Sequence, residues 1–260
     1  MTNKPVALDI CCRKGGATVG LQRAGFYVIG VDIDPQPGYP GDMFLQDDGL
    51  VILRTIRDSG GIHVPGLGYV CPSFVWESWP CQAANTQTKG NRARGIGDDH
   101  EQFIPRGREL SDKIGIPYVL EQPTSSEADV IRRDLTLCMD MFKGDMPPPW
   151  VQKHRSFELS GFTVPQPEHR RHDGYVRGWR GRHGDVPGFY RDGPYVAGYG
   201  DGGGKGTPEE LAHAMQMPWV IEGMGPTRAE RRARQFDLQE AIPPAFSQYI
   251  GEHFLKGVRA

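Results

Sequence analysis

The sequence predicts an α/β fold, a largely parallel sheet covered by helices, with a small irregular lobe attached. Three observations lead there. The chain opens on a strand–turn–helix–strand unit: Val6-Ala7-Leu8-Asp9-Ile10, then Gly15-Gly16, then a helical stretch, then Tyr27-Val28-Ile29-Gly30-Val31. Two more short apolar runs, Phe74-Val75-Trp76 and Tyr118-Val119-Leu120, read as buried strands. Residues 169–206 are rich in Gly, Arg, His and Tyr and poor in aliphatic side chains, so they should build little core of their own.

The elements follow in order. Ala17 to Ala24 carries the first helix, and the second strand ends at Asp32. Val51 to Ile56 reads as a helix. Ala83 to His100 is polar and glycine-containing, which predicts a loop. Helices are expected over Arg106 to Lys113 and Ala128 to Leu135, and a strand over Arg155 to Leu159. Pro208 to Met215 and Thr227 to Gln235 read as helices. Ala241 to Leu255, opened by Pro243-Pro244, reads as a final amphipathic helix. The expected division is an α/β domain over 1–160, the lobe over 161–206, and C-terminal helices over 207–260 that return to the domain.

Bulk properties narrow the class. The chain has 260 residues and a formal net charge of -2, so any nucleic-acid site must be a local basic patch. Five cysteines without a Cys-x-x-Cys pair argue against a disulfide framework or a zinc ribbon and fit a reducing cytosol. The N-terminus lacks an apolar signal region and no apolar stretch is long enough to span a bilayer, so a soluble cytoplasmic protein is expected. His169, His172 and His183 match no zinc module by spacing and no cysteine joins them, so no metal is expected.

Two segments carry chemistry. Cys81 ends an apolar run inside Ser78-Trp79-Pro80-Cys81-Gln82. As a thiolate it would be a nucleophile, which calls for surroundings that lower its pKa. Glu121 ends a second apolar run in Tyr118-Val119-Leu120-Glu121-Gln122-Pro123, where burial favours the protonated acid. Glycines after the first strand permit close approach of a ligand, and the acidic end of the second strand suits ribose hydroxyls.

Taken in order, these parts resemble the DNA cytosine-5 methyltransferases, most closely small phage-type members. The family's Asp-hydrophobic-Phe-x-Gly-x-Gly-Gly is matched by Asp9-Ile10-Cys11-Cys12-Arg13-Lys14-Gly15-Gly16, and its Ser-Pro-Pro-Cys-Gln by residues 78–82. The Glu-Asn-Val segment becomes Glu121-Gln122-Pro123, and Gln-x-Arg-x-Arg becomes Gln152-Lys153-His154-Arg155. The resemblance implies a Rossmann-like fold dependent on S-adenosylmethionine. Asp9, Cys11, Arg13, Gly15 and Gly16 would line the methionine end, Asp32 would hold the ribose, Ile33 and Asp48 the adenine, and Pro80 would border the pocket. Cys81 would add to carbon 6 of a flipped cytosine, Glu121 would hold ring nitrogen 3, and Arg155 with Lys153 would orient the base. Double-stranded DNA would be held by Gln82, by the loop cations Lys89, Arg92 and Arg94, and by Arg170, Arg171, Arg177, Arg180 and Arg182 of the lobe. A monomer, in a bacterial or phage-infected cell, is implied.

Departures at Arg13, Trp79, Gln122 and Pro123 keep other outcomes open: a catalytically inactive DNA-binding homologue, or a tRNA cytosine-5 methyltransferase using the same groups. Arg13 and Lys14 stand where the family keeps small residues, so a carboxylated S-adenosylmethionine, donating a carboxymethyl group, is a further expectation.

Overall fold

Residues 4–84, 100–172, 174, 176–177, 193–198 and 206–259 are described by the structure, a computed structural model. The first half runs β1 (Val6–Ile10), α1 (Gly16–Ala24), β2 (Tyr27–Asp32), β3 (Met43–Gln46) and α2 (Gly49–Ser59), then a hairpin of β4 (Ile62–Val64) and β5 (Gly68–Val70), then β6 (Phe74–Glu77). The second half runs α3 (Ile104–Ile114), β7 (Tyr118–Pro123), β8 (Leu135–Cys138), β9 (Trp150–Gln152), β10 (His154–Ser160), β11 (Tyr195–Ala197), α4 (Pro208–Ala214), α5 (Arg228–Glu240) and α6 (Pro244–Arg259).

Seven strands form one sheet in the order β3-β2-β1-β6-β7-β10-β8. The first five are parallel, whereas β10 runs antiparallel to both β7 and β8. From β1 the chain moves outward to β2 and β3, then crosses back to β6 on the other side. That reversal of strand order leaves a crevice at the carboxyl ends of β1 and β6, where ligands of open α/β sheets bind.

Both sheet faces are covered, which explains why these strands read as continuous apolar runs rather than alternating ones. Ala7, Val28, Phe74, Trp76, Val119 and Phe157 pack with Leu21 of α1 and Phe246, Ile250 and Phe254 of α6. Leu8, Ile10, Ile29, Val31, Val75 and Leu120 pack on the opposite face with Leu53 and Ile56 of α2 and Leu110 of α3. Helices α1 and α6 cross closely because α1 presents glycines: a Cβ on Gly16 would fall 2.0 Å from the Ile242 carbonyl oxygen, and one on Gly20 would fall 2.0 Å from Ser247 Oγ. Ser247 Oγ also donates to the Ala17 carbonyl at 2.8 Å. Among the described residues no helix is long and apolar enough to cross a membrane.

Two expectations are corrected. No helix forms over Ala128 to Leu135; turns lead instead into strand β8. The backbone there is drawn out by Glu158 and Asp134: Arg132 N–H donates to Glu158 at 2.8 Å, and Asp134 accepts the Leu159 N–H at 2.9 Å. Tertiary anchoring outweighs helix propensity at this point. The segment around 195, expected to build little core, supplies β11, whose residues Tyr195, Val196 and Ala197 are buried and pair in parallel with β9.

Glu158 is the hub of that region. It is fully buried, takes Nε and Nη2 of Arg108 at 3.0 and 2.7 Å, and takes Nη1 of Arg132 at 3.0 Å. It thereby ties α3, the turn before β8 and β10 together. Replacing one partner of a buried ion cluster strands the others. Glu158→Gln is expected to cost about 3 kcal/mol, read as a lower midpoint in urea unfolding with an unchanged slope.

Candidate active site

A cleft of about 470 Å³ opens at the ends of β1, β6 and β7. Its thiol wall is built from β6 outward. Glu77, the last residue of that strand, is fully buried and accepts Ser111 Oγ at 2.5 Å and Trp79 Nε1 at 2.6 Å. Burial pushes the Glu77 carboxyl up to about 7. Trp79, thus held, stacks on Phe103, and its carbonyl accepts Gln122 Nε2 at 3.0 Å. Ser126 Oγ braces Gln122 at 3.2 Å. The Pro80-Cys81 turn is therefore fixed from two sides. Gln122, longer than the Asn of the resembled motif, still reaches the cysteine-bearing loop, so that departure preserves the tie. Glu77 and Ser111 escaped the sequence reading; the signal was a carboxylate ending an apolar strand just ahead of the cysteine loop.

The opposite wall carries Glu121 and Arg155. Their strands pair antiparallel with Arg155 opposite Pro123 and Phe157 opposite Glu121, which puts both side chains on one face. Arg155 Nε lies 2.7 Å from Glu121 Oε1, a charge contact that is not aligned as a hydrogen bond. Desolvation outweighs the arginine and raises the Glu121 carboxyl to about 7. Cys81 also responds to burial, reinforced by the Glu240 and Glu121 charges, and its thiol is pushed up to about 11. This reverses the expected lowering: the resting group is a thiol.

Lys153 is corrected as well. It sits at the break between β9, which pairs with β11, and β10, which pairs with β7 and β8. Its side chain is buried behind the cleft wall, where Nζ donates to the Gly198 and Gln239 carbonyl oxygens. Burial pushes its ammonium well below the usual lysine range, and it does not line the cleft.

At the other end of the cleft, Asp9 is buried and its Oδ2 accepts Thr18 Oγ1 at 2.5 Å, with Tyr39 OH 2.6 Å beyond. Asp9 Oδ1 has no hydrogen-bond partner, and burial raises this carboxyl to about 7. The following loop holds two non-glycine residues in the left-handed region, Cys11 at φ 58° and Arg13 at φ 46°. Such strain collects at functional sites. Gly15, at φ 70°, packs on Tyr39 and Pro40, and Gly16 is demanded by Ile242. Both glycines are thus required by chain packing, and Gly15 does not line the cleft. Asp32 lies off the cleft wall too: its carboxylate accepts the Arg13 N–H at 2.9 Å and the Asp34 N–H at 3.1 Å, holding the loop's shape. Ile33 is 70% exposed beside it, and Asp48 caps α2 through the Leu50 N–H.

Of the expected residues, the cleft brings together Asp9, Cys11, Arg13, Gly16, Pro80, Cys81, Gln82, Glu121 and Arg155. It also takes in Phe236, Glu240 and Ile242 near the junction of α5 and α6, which the sequence reading did not assign to the site. Arg177 is turned inward, paired with Glu210 and donating to the Gly193 carbonyl at 2.6 Å, so it is not a free DNA contact. Arg170 is exposed near Glu168 at 3.6 Å, and Arg171 is exposed. Lys89, Arg92, Arg94, Arg180 and Arg182 lie outside the described residues.

No protein-family model matches the chain, and no curated protein matches it. Solved structures do. The Entamoeba histolytica methyltransferase EhMeth superposes with a TM-score of 0.58 at 10% identity, over 100% of both chains. The S. pombe Dnmt2 methyltransferase gives 0.56 at 14% identity, over 99% of this chain and 100% of that one. A candidate DNA modification methyltransferase encoded within an E. coli prophage gives 0.56 at 12% identity, over 98% and 100%. This chain has the Rossmann-like fold of these methyltransferases. The methyltransferase fold accounts for the position of the cleft, at the strand-order reversal, and for the return of α6 beside α1, which brings Ile242 to the cleft.

Proposed function

We propose that the protein transfers a methyl group from S-adenosylmethionine to carbon 5 of a cytosine flipped out of double-stranded DNA. The observation that carries this reading is the gathering of Cys81, Glu121 and Arg155 at one end of a cleft whose other end presents the partnerless Asp9 Oδ1. A buried carboxylate oxygen without a partner fits the cationic methionine end of such a donor. The strained 11–13 backbone at the cleft would hold the rest of it. The bound donor supplies an electrophilic methyl group.

The chain's own groups do the remaining work. Cys81 gives up its proton to solvent and its thiolate sulfur bonds to carbon 6, the ring's 5,6 double bond shifts to the 4,5 position, and the Glu121 proton passes to nitrogen 3. Arg155 balances the charge beside Glu121. Carbon 5 then takes the methyl group as the methyl–sulfur bond of the donor breaks, nitrogen 3 returns its proton to Glu121, carbon 5 loses its proton to a base, and the Cys81 sulfur leaves by elimination. The exposed Arg170 and Arg171, together with Lys89, Arg92 and Arg94, would contact the duplex.

A carboxylated donor retains one supporting observation, Arg13 at the cleft. Lys14 is less available, since its Nζ meets Gln36 Oε1 at 3.2 Å and Asp237 at 3.9 Å. Incubation with methyl-labelled S-adenosylmethionine and either duplex DNA or tRNA tests the proposal. Label in 5-methylcytosine of DNA is expected. Label in tRNA alone would move the substrate, and label in neither would overturn the reading.

A further inference from the structure

Beside Arg155, at the margin of the cleft that His154 also lines, four groups from three separate segments converge. Cys138 ends β8, and His154, its direct partner in the antiparallel register, begins β10. His169 and His172 come from the chain that follows β10. The ligand atoms of all four lie within 4.8 Å of one another. Cys138 Sγ is 3.2 Å from His172 Nε2, and the Nε2 atoms of His169 and His172 are 3.1 Å apart. From these contacts we infer that Cys138, His154, His169 and His172 form a tetrahedral zinc(II) centre that anchors the 161–172 segment to the sheet.

The donor chemistry favours zinc. One thiolate with three imidazoles is a borderline-soft set suited to tetrahedral zinc. With metal–nitrogen bonds of about 2.0 Å and a metal–sulfur bond of about 2.3 Å, neighbouring ligand atoms should stand roughly 3.3–3.6 Å apart. The 3.2 and 3.1 Å separations already approach that value, and closing the rest needs rotation of the exposed His169 ring and small shifts of the half-buried His154 and His172 rings. Aromatic clustering alone explains the ring spacings of 4.8–5.2 Å among the three histidines. It does not explain why ring nitrogens point at one another and at a sulfur. Four protein ligands leave no open position, so the centre would be structural rather than catalytic.

The surroundings prepare the site. Gln166 bonds both backbone groups of Thr136, at 2.9 and 2.7 Å, and so hangs the incoming segment on the free edge of β8. Tyr249 OH holds the Pro165 carbonyl at 2.9 Å. Three residues after Gln166 the His-x-x-His pair reaches Cys138 and His154. Sequence spacing could not reveal the set, because its cysteine lies 31 residues before the His-x-x-His pair and meets His154 only through strand pairing. The consequence is mechanical: the centre would fix the start of β10, where Arg155 immediately follows His154, and the origin of the lobe in one clamp.

The test uses the full chain, purified without chelator or affinity metal. Elemental analysis after dialysis is expected to give one zinc per chain. Replacement by cobalt(II) should give the intense visible bands of a tetrahedral ion plus a thiolate charge-transfer band. His169→Asn alters an exposed ring, so it should fold normally by circular dichroism while binding metal at least about tenfold more weakly. Cys138→Ser should remove the charge-transfer band. Wild-type protein without stoichiometric zinc that leaves cobalt(II) with its pale aqueous spectrum would overturn the inference. So would retention of wild-type affinity and spectrum in both variants.

Discussion

Cys81→Ser is expected to abolish covalent capture of DNA and to lower methyl transfer by at least about 10³-fold, while the protein stays folded. The capture assay uses a duplex carrying 5-fluorocytosine with S-adenosylmethionine. Fluorine at carbon 5 cannot leave as a proton, so the elimination that frees the sulfur is blocked. Wild-type protein should then form a complex that survives denaturant. The serine hydroxyl is a far weaker nucleophile in the same place, and the substitution barely changes volume. Stability should hold because the loop is fixed by Glu77–Trp79 and Gln122–Trp79 bonds that do not involve the sulfur. A stable adduct formed by Cys81→Ser would move the nucleophile elsewhere. The absence of any wild-type adduct across varied duplexes would favour RNA, another donor or an inactive homologue.

The fold was legible where a residue's role is local. Buried parallel strands leave unbroken apolar runs, and β1, β2, β6 and β7 were all readable for that reason. Helices α1, α3, α4 and α5 carry their own start and stop signals, such as Thr227 capping α5 through the Glu230 N–H. What was not legible depends on partners distant in sequence. The stretch before β8 has helical composition, yet Glu158 draws it out. Gly15 and Gly16 invited a cofactor reading from their position, but their neighbours Pro40 and Ile242 decide them. Lys153 shares its alternation with Arg155, but a strand break redirects it. The proposed catalytic pair was visible because each member ends an apolar run. The raised Glu121 was legible too, from the apolar run that buries it, but the raised Cys81 was not: burial pushes that thiol up, helped by the Glu240 and Glu121 charges that only the folded chain brings beside it.

Those protonation states make the second large prediction. The proposed attack needs Cys81 as thiolate and Glu121 as acid, that is, one proton on the pair. With Glu121 near 7 and Cys81 near 11, the pair carries two protons below about 7, one between, and none above about 11. Within the plateau most molecules hold the proton on sulfur; the reactive arrangement is the minor one with the same proton count. Wild-type kcat/KM should therefore rise with pH through about 7, stay level, and fall only near 11. Glu121→Gln removes the carboxyl. The amide can still donate a hydrogen bond toward nitrogen 3 but cannot deliver a proton, so activity near neutrality should fall by about 10²–10⁴-fold. The break near 7 should vanish as well, leaving a rate that climbs with thiolate fraction across the whole range. Asp9 at the cleft and Glu77 beneath the cysteine loop, both also raised to about 7, supply the alternatives. If Glu121→Gln keeps the break near 7, that ionisation belongs to one of these two carboxyls, and Glu121 acts on the base without exchanging its proton.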